Sequence, residues 1–167
     1  MIRIERLGWD AIGTYESVPI AFSASVRVDL DWLERTGEVR EVACEPFVKD
    51  YDALERPSCL PERFNVSDWL LFGAFADSQL VGGAILAALD NQAWLWDIRV
   101  AFAWRGCGVG RELFSAVRVS SGLLRVETQD VNVAACRFYA AMGCRVESVH
   151  RDAYLDCSGE AKIVWLR

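Results

Sequence analysis

The sequence predicts an α+β domain, a mixed and mostly antiparallel central sheet flanked by helices, on three observations. Residues Trp69 to Val100 hold three apolar stretches divided by Asp77-Ser78 and Asp90-Asn91-Gln92, the pattern of an antiparallel meander. The period then changes: Gly110 to Val119 sets Leu113, Phe114 and Val117 on one helical face, stopped by Ser120-Ser121-Gly122. Beyond it strand and helix patterns alternate as a βαβα segment and close with a pair of strands, without an internal repeat or low-complexity tract.

From the start of the chain, Ile2 to Leu7 alternates apolar and charged residues as a first strand, and the stretch through Gly13 and Pro19 is irregular. Phe22 to Val28 alternates in part, as a strand does. Phe47, Val48, Tyr51 and Leu54 stand at helical spacing and predict a helix over 46–54, while Pro57 and Pro61 mark a loop. Strands follow at Trp69 to Phe75, Leu80 to Leu89 and Ala93 to Val100. After the first long helix, Leu124, Val126 and Thr128 alternate with Arg125 and Glu127 as another strand. Asn132 is placed to cap a second helix with Ala135, Phe138, Tyr139 and Met142 on one face, ended by Gly143. Cys144 to Val149 and Lys162 to Leu166 are the closing strands.

Bulk properties narrow the function. A chain of 167 residues has room for one core, and 53% hydrophobic residues with four prolines exclude disorder. No apolar run approaches the roughly 18 residues of a membrane span, and the first residues lack the pattern of a signal peptide, so a cytoplasmic protein is expected. The six cysteines, Cys44, Cys59, Cys107, Cys136, Cys144 and Cys157, include no C-x-x-C pair and read as reduced thiols. His150 is the sole histidine and reads as a surface residue beside Glu147 and Arg151, which disfavours a zinc site or a Ser-His-Asp triad. A net charge of -6 disfavours nucleic acid and anionic membrane and suits a cationic substrate.

The most informative motif is Arg105-Gly106-Cys107-Gly108-Val109-Gly110, between a strand and a helix. Glycines let the backbone approach an anion without a Cβ in the way, and the helix start adds about half a positive charge. Phosphate is the matching ligand. A Walker loop is excluded, since Gly-Lys-Ser/Thr is missing. A dinucleotide site remains an alternative: the spacing is G-x-G-x-G rather than G-x-G-x-x-G, but Glu127 falls about 20 residues on, where an acid would meet a ribose. A helix start with no ligand at all is the plain structural alternative.

Ile98-x-Val100, the glycine loop, and Asn132 and Tyr139 on a helix ending at Gly143 resemble the GNAT-type N-acetyltransferase superfamily. Within it, the run from Glu127-Thr128-Gln129 through Phe138-Tyr139 is similar to the streptothricin acetyltransferases. The likeness covers about Trp69 to the end, continues through Tyr154 and Trp165-Leu166-Arg167, and reaches back faintly to Lys49-Asp50-Tyr51. It implies the GNAT-like acyl-CoA N-acyltransferase fold in a single domain, with 1–68 as a substrate-side part and 69–167 as the acetyl-CoA-binding core.

The resemblance also assigns roles. Arg105, Gly106, Cys107, Gly108, Val109, Gly110 and Arg111 would cradle the pyrophosphate of acetyl-CoA. Ile98 and Val100 would pair with its pantetheine arm, Val100 donating to the thioester oxygen, and losing such a donor costs about 2.7 to 4 kcal/mol in other enzymes. Asn132 would reach the cofactor, and Tyr139, seven residues on, would be the general acid for the leaving thiolate. A tyrosine on an apolar face is otherwise core packing. The acceptor amine, with a pKa of about 10.4, costs about 4 to 5 kcal/mol to deprotonate near neutral pH, so a carboxylate or water chain must help. Relatives commonly carry an acid where this chain has Trp96, which leaves Asp97 and Glu127 as candidate bases.

Trp96, Asp97, Asp50 and Tyr51 are the expected substrate-side residues, Asp50 and Asp52 falling where the family has a substrate-side helix; the plain readings are aromatic packing and a charged surface. The expected activity is direct acetyl transfer from acetyl-CoA to a primary amine of a small cationic molecule, streptothricin or a related antibiotic, conferring resistance. Polyamine, amino-acid and protein-amine acceptors are rivals, as is a non-catalytic acyl-CoA-binding module in which Trp96 marks a lost base. Cys107 and Cys136 are not expected to carry acyl groups. No metal is expected, and a homodimer is compatible with the sequence.

Overall fold

The structure, a computed structural model, describes residues 1–154 and 159–167. In chain order the elements are β1 (Ile2–Leu7), α1 (Ile12–Tyr15), β2 (Phe22–Val28), α2 (Leu30–Thr36), β3 (Glu41–Lys49), α3 (Leu60–Arg63), β4 (Leu70–Ala76), β5 (Gln79–Leu89), β6 (Gln92–Val100), α4 (Val109–Val119), β7 (Leu124–Gln129), α5 (Val133–Ala141), β8 (Arg145–His150) and β9 (Lys162–Leu166). They gather into two compact units that interleave along the chain, residues 1–21 with 50–124, and residues 22–49 with 125–167.

In the first unit β1 pairs with β4, β4 with β5 and β5 with β6, all antiparallel, so the predicted meander is present. Its turns close through Asp77 (φ 53°), Asp90 (φ 49°) and Asn91 (φ 60°), left-handed positions that Asp and Asn tolerate better than other side chains. α4 packs on one face of β5, where Gly82 makes room for it: a Cβ there would lie 3.1 Å from Val109 and 3.2 Å from Leu113. The other face carries a core of Tyr15, Leu60, Trp69, Leu71, Ile85 and Ala87. Gly83 admits the Tyr15 ring, which would stand 2.4 Å from a Cβ.

β6 is irregular at the position that matters most. Ile85 pairs with Asp97 but Leu86 pairs with Leu95, so Trp96 is the extra residue of a β-bulge. Strict alternation would align Trp94, Trp96, Ile98 and Val100. The bulge instead shifts the parity: Trp94, Asp97 and Arg99 share the face of Ala87, Ile85 and Gly83, while Leu95, Ile98 and Val100 share the α4 face.

The helix expected over 46–54 is not formed. β3 runs to Lys49 and pairs with β2, with Ala24 opposite Phe47 and Val26 opposite Ala43. The register shift between them leaves Pro46 at an irregularity, where its missing N–H is tolerated. Asp50, Tyr51 and Asp52 therefore lie in a turn rather than on a substrate-side helix. The loop expected at Pro57 and Pro61 is a 3₁₀ turn, Pro57–Cys59, leading into α3, each with proline in its first turn. The irregular stretch near Gly13 holds a 3₁₀ turn at Trp9–Ala11 and then α1.

In the second unit β9 pairs antiparallel with both β7 and β8, and β2 with β3 forms a separate ribbon. Trp165 on β9 is fully buried and its indole N–H donates to the Thr128 hydroxyl at 2.9 Å. α2 starts at Asp29, which accepts from the Trp32 N–H, and ends at Gly37 with φ 74°. Asn132 caps α5 as expected, accepting from the Ala135 N–H at 3.1 Å. The buried stripe of α5 is Val133, Cys136 and Tyr139; Ala135, Phe138 and Met142, expected on the packed face, are only half-buried. His150 is exposed, with Ser148 as hydrogen-bond partner. Cys44, Cys59, Cys107, Cys136 and Cys144 are free thiols, and Cys157 lies outside the described residues. Among the described residues no helix is long and apolar enough to cross a membrane, and no cluster of metal-ligating side chains is present.

Candidate active site

The glycine loop is built from consecutive turns. Ala101 N–H pairs with the Val81 carbonyl at 2.9 Å, and a 3₁₀ turn over Phe102–Trp104 takes up the N–H groups of Trp104 and Arg105. Gly106 (φ 77°) and Gly108 (φ 87°) are left-handed, and a Cβ on either would meet nothing within 4 Å. These glycines serve backbone conformation and leave an open, exposed surface. α4 begins with the bond from Glu112 N–H to the Gly108 carbonyl, so the N–H groups of Val109, Gly110 and Arg111 precede its first helical bond. Arg105, Cys107 and Arg111 are exposed around it, and Arg105 is tied back by its Nε donating to the Val100 carbonyl at 3.1 Å. Free N–H groups, a helix start and two guanidinium groups fit a pyrophosphate. Ile98 and Val100, both half-buried, lead directly into this loop.

The Asp97 carboxylate is heavily engaged. Its Oδ1 accepts from the Tyr15 hydroxyl at 2.6 Å and from Arg99 Nε at 3.0 Å, and its Oδ2 accepts from Arg99 Nη2 at 2.6 Å. Arg99 also donates to both oxygens of Asp52, at 2.9 and 3.0 Å, and to the Val18 carbonyl at 3.1 Å. Burial alone would lower the Arg99 pKa, but the hydrogen bonds and charge of Asp97, with Asp52, outweigh it and hold the group cationic. Tyr15, 0% exposed, has its pKa raised well above the usual phenol range, first by desolvation and then by the Asp97 charge, so it stays a donor. Arg99 and Tyr15 were not singled out by sequence reasoning. The available signal was a charged residue amid the apolar positions of a core strand, which calls for a buried partner.

Trp96, 38% exposed, stacks with Phe64 and Trp69 at centroid distances of 5.2 Å each. Trp9 and Phe64 extend the group around Trp69. The bulge residue thus carries an exposed ring packed on Phe64 and Trp69, one position before Asp97. Asp50 is exposed and accepts from the Asp52 N–H at 3.1 Å, and Tyr51 is half-buried in the same turn.

In the second unit Tyr139 is 4% exposed on α5, with Phe138 edge-on at 5.3 Å, and Asn132 caps the same helix. Glu127 is exposed; its Oε1 accepts from the Tyr154 hydroxyl at 2.6 Å, and its Oε2 lies 3.9 Å from Lys162. Burial pushes the Cys136 thiol up to about 12, so it stays protonated near neutral pH and is a poor nucleophile. An open cavity of about 400 Å³ in this unit is lined by Arg27, Asp29, Asp31 and Arg151 among others; it holds none of the expected site residues, and these charges are paired with Asp130, Arg40 and one another.

The acetyltransferase (GNAT) family model matches residues 33–144. Streptothricin acetyltransferase of Escherichia coli is 30% identical over 137 residues, which take in 77% of this chain and 74% of that protein. Among solved structures, a candidate streptothricin acetyltransferase from Bacillus anthracis str. Ames, in complex with acetyl coenzyme A, is similar with a TM-score of 0.79 and 23% identity, covering 100% of this chain and 99% of the other. A nourseothricin acetyltransferase gives 0.74 and 23%, covering 99% and 96%, and the ribosomal-protein-S18-alanine N-acetyltransferase of Escherichia coli gives 0.66 and 17%, covering 99% and 92%. The structural likenesses establish the fold, a mixed and mostly antiparallel sheet flanked by helices.

Proposed function

Since this chain belongs to the acetyltransferase (GNAT) family and is an acetyl-CoA-dependent N-acetyltransferase, we propose that its acceptor is a primary amine of a small cationic molecule of the streptothricin kind. The observation that carries the cofactor half is the left-handed Gly106–Gly108 loop at the start of α4, where the N–H groups of the first turn precede the first helical bond and suit a pyrophosphate. Arg105, Cys107, Val109, Gly110 and Arg111 complete that cradle, and Ile98 and Val100 offer their backbone to the pantetheine arm. Acetyl-CoA supplies the activated acyl group. In this reading residues 1–68 contribute the acceptor side and 69–167 the acyl-CoA side of a single catalytic domain, in a cytoplasmic protein.

The acceptor half rests on the cluster of Asp97, Asp52 and Arg99 with the exposed Trp96 ring, and on the likeness to streptothricin acetyltransferase. Tyr139 is assigned the proton donated to the leaving sulfur, with Asn132 holding its helix. For the proton leaving the amine, the two acids differ. Asp97 already accepts three hydrogen bonds, which occupy both carboxylate oxygens and leave less room for an incoming amine proton. Glu127 is exposed and accepts through water in this reading.

The test is a set of kcat/KM values for streptothricin, polyamines, amino acids and peptides, with pH profiles for Glu127→Gln and Asp97→Asn. Streptothricin is expected to rank first. Glu127→Gln is expected to lower kcat by about 10²-fold or more and to remove the acidic limb of the profile. Asp97→Asn is expected to keep that limb. The reverse pattern would make Asp97 the base, and a peptide or polyamine ranking first would replace streptothricin as the acceptor.

A further inference from the structure

The ion cluster around Arg99 holds more charge than packing requires, and the charge does not balance. The Arg99 side chain is 1% exposed, and all five of its N–H groups have an acceptor. Nε and one Nη2 hydrogen go to Asp97, the other Nη2 hydrogen and one from Nη1 go to Asp52, and the last goes to the Val18 carbonyl. Tyr15 adds its hydroxyl to Asp97. Two carboxylates thus face one guanidinium and one neutral phenol. The surplus negative charge is stable only where it meets water or a cation.

Asp52 is the acid on the open side, with its side chain 20% exposed against 12% for Asp97. Each Asp52 oxygen takes one N–H from Arg99, and a carboxylate oxygen accepts two. The turn that carries it is held locally by the bond from Asp52 N–H to Asp50 and by the N–H groups of Leu54 and Glu55 on the Tyr51 carbonyl. Arg99 fixes this turn to β6 across 47 positions of sequence. Tyr15 belongs to the same core as Trp69, whose ring centroid stands 5.2 Å from that of the exposed Trp96. A surplus carboxylate on the open side of a buried ion cluster is the chemistry that recognises an ammonium group.

We propose that Arg99 is a positioning residue that presents Asp52 to the ammonium group of the acceptor; this rests on the cationic acceptor proposed above. The residue that sets acceptor specificity is then Asp52, and Arg99 acts through it.

Two variants test this. Asp52→Asn removes the surplus charge while leaving Arg99 paired with Asp97, and Arg99→Lys keeps the cation but has three donors in place of five. Acceptor KM and kcat are measured by thiol release, acetyl-CoA affinity by calorimetry and folding by Tm. Asp52→Asn is expected to raise KM for a cationic acceptor by about 10- to 100-fold, with kcat and acetyl-CoA affinity near wild type. Arg99→Lys is expected to give the same signature, reduced in size. A wild-type acceptor KM in Asp52→Asn overturns the proposal. So does a loss of acceptor and acetyl-CoA binding together, in step with Tm. If the wild-type chain turns over no amine at all, the proposed function fails and this proposal with it; turnover indifferent to Asp52→Asn ends this proposal alone.

Discussion

Tyr15 shows how one buried side chain links sequence to stability. Its ring fills the space left by Gly83 and its hydroxyl donates to Asp97, a bond to a charged group worth about 1.5 to 3 kcal/mol. Because its folded pKa is raised above the unfolded value of about 10, its contribution is complete below about pH 10 and is lost as pH rises toward the folded pKa. Urea unfolding at neutral and alkaline pH checks this. Tyr15→Phe is expected to be less stable at neutral pH, and its deficit relative to wild type is expected to shrink above about pH 10. A deficit that does not change with pH would show that folding does not raise the Tyr15 phenol pKa.

At the scale of elements, glycines act in two separable ways. Gly83 is required by space, since a Cβ would stand 2.4 Å from the Tyr15 ring and 2.8 Å from the Phe72 carbonyl. Gly108 is required by conformation alone, at φ 87° with open space around it. Gly83→Ala is expected to cost about 1 to 3 kcal/mol of stability, from displacement of Tyr15. Gly108→Ala is expected to cost about 1 to 2 kcal/mol and, in addition, to weaken acetyl-CoA binding by reshaping the start of α4. Thermal unfolding together with calorimetric titration of acetyl-CoA separates the two; equal effects on acetyl-CoA affinity would contradict the distinction.

The same elements show what the sequence discloses. The meander from Leu70 to Val100, the helix α4 and the Asn132-capped α5 rest on local signals, turn residues with tolerated left-handed φ, apolar periodicity and a cap bond on α5, so they were legible. The segment 46–54 misleads because Phe47, Val48, Tyr51 and Leu54 stand at helical spacing by coincidence, while β3 is fixed by pairing with β2 some twenty residues away. α2 was missed although Asp29 and Gly37 bracket it as cap and stop. The bulge at Trp96 leaves no sequence mark, yet it decides that Asp97 and Arg99 share a face. The candidate site is legible where a motif is contiguous, as in residues 105–111. It is not where partners come from distant positions, as with Tyr15 and Asp52.

For the whole molecule, the described residues gather into two compact units, each assembled from segments that interleave along the chain. Nothing in composition or local pattern announces that division, since it depends on which distant segments pair. The family assignment nevertheless follows from both ends of the comparison, residues 33–144 matching the family model and a 30% identical relative spanning 77% of the chain. The acceptor chemistry proposed above is a cationic amine met by the surplus charge around Arg99. The most direct measurement is release of free CoA thiol from acetyl-CoA by the purified protein, with streptothricin and a neutral N-acetylated analogue supplied in parallel. The account predicts one thiol released per streptothricin amine acetylated and none with the analogue. Bound acetyl-CoA with no thiol release for any cationic amine would contradict it.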